Sequence, residues 1–355
     1  MKLSRSVVIA SALAGSFALA ACSGTTTTQS ASDTSASGSS SPLNVMASFY
    51  PLKYLTEEIG GDLIKVTSLT PDGAEPHDLE LSPATVDQLG KADAVVYLGG
   101  FQSAVDEAVE HNGPETVIDV AKAVQLVDVA EDGNHPAEAE EEGDATESDS
   151  HDHEADHDDA HHMASSETAE SGEEAEHHHH HHDMTTDPHF WLDPERMGQA
   201  ATAIGQALAK ADPKNAQTYT SNAATLTKNM KDLSTELVDA TATCKHQTFV
   251  TAHTAFGYLA DRTGLTQVGI SGLDPESSPS PARLEEISKL VKSEGITTIF
   301  TEALIDPKVE QTLADDLGIQ TAVLDPIESQ VDSSKDYAAV MRDNITALQT
   351  ALSCK

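Results

Sequence analysis

Of the seventeen histidines in the chain, twelve crowd into residues 131–183, and "HHHHHH" (177–182) is the densest part of that run. The five outside it, His77, His111, His189, His246 and His253, are better placed for defined chemistry, because neutral imidazole is both an acid–base group and a common metal ligand. Three of these share one setting. His77 lies in "PDGAEPHDLELSP" after the β-rich run "LIKVTSLT", His189 lies in "DPHFWLDP" before a helical stretch, and His253 lies in "FVTAHTAFGYLA" after the run "QTFVTA". Asp325, in "TAVLDPIES", follows the last β-rich run in the same way. In open parallel sheets the crevice beyond the carboxyl ends of the strands is where ligands bind. Three imidazoles and one carboxylate make a four-coordinate nitrogen/oxygen set that suits Zn²⁺, whereas Mn²⁺ favours more oxygen donors. One strand-end histidine alone would read as a hydrogen-bonded structural residue; three in equivalent positions read as a site. His111, which ends a helix before "NGP", and His246, which begins a strand after Cys244, read as structural or surface residues.

The elements that must position these groups alternate along the chain. "LNVMASFY" reads as a strand, "PLKYLTEEIGG" as a helix, "LIKVTSLT" as a strand, and "SPATVDQLGKA" as a helix with Ser82 at its N-cap and Pro83 in its first turn. "DAVVYLG", "FQSAVDEAVEH" and "ETVIDV" continue the pattern as strand, helix, strand. The alternation restarts at "QTFVTA" and runs to a terminal helix, which predicts parallel sheets flanked by helices. Between the two series, the stretch after Pro213 has neither Gly nor Pro and reads as one helix of nearly thirty residues, about 40 Å long. The expected fold is therefore α/β: two lobes, each a parallel-type sheet flanked by helices, joined by one long rigid helix, with the metal site in the cleft between lobes.

The termini and the acidic segment bound the setting. "MKLSR" followed by "SVVIASALAGSFALA" and "LAAC" has the form of a lipoprotein signal, cleaved before Cys22 so that its thiol carries lipid. The Ser/Thr-rich stretch that follows reads as a flexible tether. The other two cysteines, Cys244 and Cys354, are either a bridge or two buried thiols, and an exported location favours the bridge. The formal net charge of −39 is misleading as a surface property, since residues 131–183 hold twenty acidic and no basic side chains. Such a segment lacks the apolar surface to offset the entropy of ordering and reads as a disordered loop. An acidic surface excludes nucleic acid as a partner. The expected boundaries are signal peptide 1–21, tether 22–42, first lobe 43–211 with the loop at 131–183, linking helix 212–243 and second lobe 244–355.

"GAEPHDLELSP", "DPHFWLDP", "TAHTAFGYLA" and "VLDPI", in that order, resemble the substrate-binding lipoproteins of bacterial zinc ABC importers, the metal-binding cluster A-I receptors. An acidic, His-rich insertion before "DPHFWLDP" is itself a mark of the zinc members. The resemblance implies a monomeric, extracytoplasmic receptor, held at the cell membrane by its lipid, that binds Zn²⁺ and hands it to a membrane permease. It carries the ligands onto His77, His189, His253 and Asp325, with Glu75 as a substitute for the fourth; the manganese and iron members commonly have glutamate at the third position, where this chain has His253. The linking helix would then act as a spine that limits movement between lobes, and the loop would collect metal beside the cleft. The rival readings are a receptor for manganese or another divalent metal, a zinc hydrolase on the same histidines, and a metal buffer whose active part is the loop. No H-E-x-x-H motif and no evident general base favour the hydrolase.

Overall fold

Two runs of short β-branched segments, each followed by an amphipathic helix, become two separate parallel sheets. The computed structural model describes residues 41–129 and 186–355; Cys22, the expected tether up to residue 40 and the 131–183 segment lie outside the described residues. Strands β1 (Leu43–Ala47), β2 (Ile64–Ser68), β3 (Ala94–Tyr97) and β4 (Thr116–Asp119) form one four-stranded sheet in the order β2-β1-β3-β4. Strands β5 (Thr248–Thr251), β6 (Thr266–Gly269), β7 (Thr298–Thr301) and β8 (Gln320–Val323) repeat that order as β6-β5-β7-β8. Every pairing is parallel. The inner strands "TFVT" and "TIFT" are buried along their whole length, whereas the outer strand "IKVTS" alternates between core and solvent. That contrast is what helices on both faces of a parallel sheet produce. In each sheet the chain steps to one side of its first strand and then to the other. The carboxyl ends of β1/β3 and of β5/β7 are therefore switch points, where a crevice opens.

The helices begin and end on sequence signals. Helices α1 (Tyr50–Gly60), α2 (Pro83–Leu89) and α3 (Ser103–Asn112) belong to the first series; α4 (Pro194–Ala211) and α5 (Ala216–Thr241) follow; α6 (Gly257–Thr263), α7 (Pro281–Glu294), α8 (Lys308–Leu317) and α9 (Tyr337–Leu352) belong to the second. Ser82 caps α2 and Ser280 caps α7, each accepting a backbone N–H three residues on, and each is followed by a proline in the first turn. Gly295 stops α7 in the left-handed region at φ 65°, a conformation that costs glycine nothing.

The long helix is 26 residues, about 39 Å at 1.5 Å per residue, somewhat shorter than the 212–243 span expected, because Asp212–Asn215 form a turn before it. It buries Tyr219, Leu226, Met230, Leu233 and Leu237. Gly205 of α4 lets it approach closely: a Cβ there would lie 2.4 Å from Ala223 Cβ. Asn222 donates to the Ile59 carbonyl of α1 (2.9 Å), while at its other end Gln349 of α9 donates to the Ala240 carbonyl (3.3 Å) and Arg342 meets Glu236 at 3.0 Å. Cys244 and Cys354 are joined in a disulfide, which ties the end of α9 to the residues just past α5. One continuous apolar cluster, from Val45 and Leu52 through Trp191 and Leu233 to Phe249 and Leu348, packs against both sheets. The described residues form one compact unit, and no described helix is long and apolar enough to cross a membrane.

Candidate metal centre

His253 sits two residues past β5, and Glu302 follows the last residue of β7 directly. Because β5 and β7 are neighbours, the sheet itself sets their spacing. Glu302 accepts a hydrogen bond from His253 Nδ1 at 2.6 Å and from the His253 backbone N–H at 3.2 Å. His189 stands just before a 3-10 turn, Phe190–Leu192. Asp187 Oδ1 accepts from its Nδ1 at 2.7 Å and from its backbone N–H at 2.8 Å. His77 lies in the long β2–α2 connection. Glu75 turns its carboxylate back to accept the His77 backbone N–H at 2.9 Å, Gln102 donates to the Pro76 carbonyl at 3.0 Å, and the His77 ring packs edge-on to Phe101 with 4.8 Å between centroids.

These supports aim one nitrogen of each ring at a common point. With Nδ1–H of His189 and His253 committed to carboxylates, each Nε2 is left bare and able to ligate a metal. His189 Nε2 lies 3.3 Å from His77 Nε2 and 3.4 Å from His253 Nε2. Glu328 Oε1 completes the group at 3.5 Å from His77 Nε2, 3.3 Å from His189 Nε2 and 3.4 Å from His253 Nε2. All four donors lie within 4.8 Å of one another. Five of the six donor–donor distances are thus 3.3–3.5 Å, and the sixth, between His77 and His253, is within 4.8 Å; edges near 3.4 Å are those of a tetrahedron about 2.0–2.1 Å from centre to corner, the bond length of Zn²⁺ to imidazole nitrogen and carboxylate oxygen. Glu328 Oε1 makes no hydrogen bond of proper geometry, although it is buried. Two bare imidazole nitrogens and a carboxylate oxygen held this close, and away from water, are mutually repulsive until a cation stands among them.

The electrostatics point the same way. Burial opposes charge on His189 and His253, but the carboxylates of Asp187 and Glu302, together with Glu328, outweigh it and raise both imidazoles above the usual value, His253 strongly. Burial likewise opposes charge on Glu328, yet the surrounding imidazoles hold it well below the ordinary carboxylate range. Metal-free, the centre is thus an anion ringed by groups ready to be cationic. A divalent ion takes the place of those protons.

The three predicted histidines converge. Neither predicted carboxylate joins them. Asp325 stands outside the group: its Oδ1 accepts the Ile327 backbone N–H at 2.7 Å, and its own backbone is paired with the Asn344 side chain. Burial raises its carboxyl to about 6. Glu75 reaches only 3.9 Å from His77 Nε2 and is occupied by backbone donors. The fourth donor is Glu328, three residues past Asp325 in the same connection. Glu302 and Asp187 were also missed. The strand-end rule that found His253 and Asp325 would have found Glu302, which abuts β7, and Asp187 is visible as the acid two residues before His189. His111 is exposed and His246 half-buried, both outside the cluster. The histidine-rich segment and Cys22 lie outside the described residues; of the described residues on either side of the segment, Asp128 and Thr186 form an antiparallel bridge, and the Tyr258 hydroxyl donates to the Asp187 carbonyl while accepting the Val127 N–H, both at 2.8 Å.

Two parallel sheets sharing one core, with a four-donor tetrahedral centre between their switch points, define a two-part metal-binding protein. Solved structures of that class align over most of the chain: the laminin-binding protein Lmb of Streptococcus agalactiae, titled as bifunctional with adhesin and metal-transporting activity, at 29% identity and TM-score 0.69 over 88% of this chain and 100% of that one. A Zn(II)-bound variant of AdcAII from Streptococcus pneumoniae aligns at 28% identity and TM-score 0.68, over 88% and 99% of the two chains. The protein belongs to the family described as zinc-uptake complex component A, periplasmic, which matches residues 45–351. Among sequence relatives, the zinc-binding protein AdcA of Streptococcus pyogenes is 33% identical over 315 residues, and the high-affinity zinc uptake system protein ZnuA of Bacillus subtilis is 29% identical over 350 residues. The match takes in 86% of this chain but only 55% of AdcA, so the chain spans about half the length of that relative, whereas it covers 97% of ZnuA.

Proposed function

We propose that the protein is an extracytoplasmic zinc receptor that captures Zn²⁺ at His77, His189, His253 and Glu328 and delivers it to the permease of an ABC importer. The observation that carries this reading is that five of the six donor spacings are 3.3–3.5 Å and all lie within 4.8 Å, which suits one small four-coordinate cation better than a larger, six-coordinate one. Family membership and the zinc named in its relatives' titles support the choice of metal. Four protein donors close the shell, so no position is left for an activated water, and zinc is cargo here rather than a reagent. The signal sequence ending at Cys22 supports a lipid anchor at the membrane, and the single self-contained core supports a monomer. The acidic, His-rich composition of residues 131–183, and the pairing of the flanking Asp128 and Thr186 next to Asp187, support a role in gathering metal near the centre.

Competitive titration of the full mature chain with Zn²⁺ tests this. One tight site is expected, lost by orders of magnitude in His77→Ala, His189→Ala, His253→Ala and Glu328→Gln, and retained when residues 131–183 are deleted. If the tight site disappears with the segment and survives the four substitutions, the segment is the functional metal binder and the folded centre is not.

A further inference from the structure

Glu328 reaches the centre from an unusual backbone. The residue before it, Ile327, has φ 56°, one of two non-glycine residues at positive φ among those described. A β-branched side chain in the left-handed region is an outlier that persists only when its surroundings over-determine it. Asp325 Oδ1 accepts the Ile327 N–H at 2.7 Å. Asn344 of α9 grips Asp325 from both sides, its Oδ1 accepting the Asp325 N–H at 2.8 Å and its Nδ2 donating to the Asp325 carbonyl at 2.7 Å. Trp191, two residues past the ligand His189, donates its Nε1–H to the Pro326 carbonyl at 2.7 Å. Asn344 and Trp191 are buried, and so is Ile327.

We propose that Asp325 is a positioning residue for zinc: its carboxylate oxygen locks Ile327 in the left-handed conformation, and that single reversed turn is what aims Glu328 into the cluster of histidines. Released from the clamp, Ile327 relaxes to a right-handed backbone and swings the Glu328 carboxylate away from the three Nε2 atoms. The three anchors come from three different places, the strand-end acid itself, α9 and the His189 segment, so the fourth ligand is registered against the helix that closes the second half and against the segment that supplies a first-half histidine. The inference rests on Glu328 being the fourth ligand.

The clamp needs an acceptor at Asp325, not a charge. Asn retains a carbonyl oxygen that accepts the same N–H, so Asp325→Asn is expected to bind zinc within about threefold of the parent. Asp325→Ala removes the acceptor and is expected to weaken binding roughly 10–100-fold, the range for lost outer-shell partners of metal ligands. Glycine enters the left-handed region without penalty, so adding Ile327→Gly to Asp325→Ala should restore about tenfold of that loss; Ile327→Gly alone supplies the reference. Cobalt(II) in place of zinc gives a second readout: the visible d–d spectrum of Asp325→Ala should shift toward that of Glu328→Gln, and that of Asp325→Asn should match the parent. A loss of overall stability without a change at the centre would move neither affinity nor spectrum.

Asp325→Asn folds under either reading, so it decides the matter even if Asp325→Ala proves unstable. Binding by Asp325→Asn as weak as that of Glu328→Gln would show that the charge acts on the metal and would overturn the clamp. So would an Asp325→Ala defect that Ile327→Gly fails to relieve. If instead Glu328→Gln binds zinc as tightly as the parent, the assignment of the fourth ligand fails first, and the clamp with it.

Discussion

The sharpest perturbation of the centre leaves all four donors in place. Glu302 is buried at 2% side-chain exposure and touches the metal site only through His253. Glutamine at 302 presents a carbonyl oxygen in the same position, able to accept from both His253 Nδ1 and the His253 backbone N–H, so the ring stays oriented while the charge is lost. A charge-assisted hydrogen bond is roughly twice as strong as a neutral one, and its loss leaves a less basic Nε2 facing the ion. Removing such a partner weakens metal affinity about 10–100-fold, or about 1.4–2.7 kcal/mol. Since zinc stabilises the fold by binding it selectively, the zinc-induced rise in melting temperature should shrink by about 3–8 °C for a body of this size. The same substitution removes the largest of the causes that raise the His253 pKa, leaving burial opposed only by Glu328, so the pH below which protons displace zinc should move down. Both quantities come from competitive zinc titrations and calorimetry between pH 8 and 5. Glu310→Gln, another buried acid of the second half but outside the cluster, is the control and should change neither. Unchanged affinity together with an unchanged pH profile in Glu302→Gln would refute the idea that this carboxylate tunes the ligand.

Acidification should weaken zinc binding by at least about tenfold between pH 7.5 and 5.5, because imidazoles with raised pKa must shed protons before ligating. For the metal-free fold the sign is opposite: groups whose folded pKa lies above the unfolded 6.5 stabilise it below that value and lose the contribution as pH rises through the folded pKa. The gap in melting temperature between loaded and metal-free protein should therefore close on acidification, and a gap constant with pH would contradict imidazole ligation. Opening the Cys244–Cys354 bridge by Cys354→Ser frees a loop spanning 110 residues, which by chain entropy corresponds to about 5 kcal/mol; calorimetry should show the loss, with zinc affinity near that of the parent. Gly205→Ala places a methyl 2.4 Å from Ala223 Cβ and should destabilise the α4–α5 contact by about 1–3 kcal/mol, read as a lower denaturation midpoint.

Much of this protein follows from local pattern. Alternating β-branched runs and amphipathic stretches specify two parallel sheets, because periods of two and 3.6 residues cannot be exchanged for one another. Ser82 with Pro83 starts α2, and the uninterrupted stretch after Asn215 becomes one helix, because caps and breakers act within a turn of where they stand. His77, His189 and His253 were legible for a related reason: connections at strand ends share one rim of the sheet, so position in the pattern is position in space. The carboxylate that joins them was not. Asp325 and Glu328 occupy one connection, both acidic and both near the rim, and their order along the chain does not say which points inward. That choice turns on the sign of one backbone angle at Ile327, and a β-branched residue there argues against the sign it has. Asp325 holds it so with the help of Asn344 and Trp191, brought from distant parts of the chain, and a clamp assembled from residues 191, 325 and 344 exists only once the chain has folded.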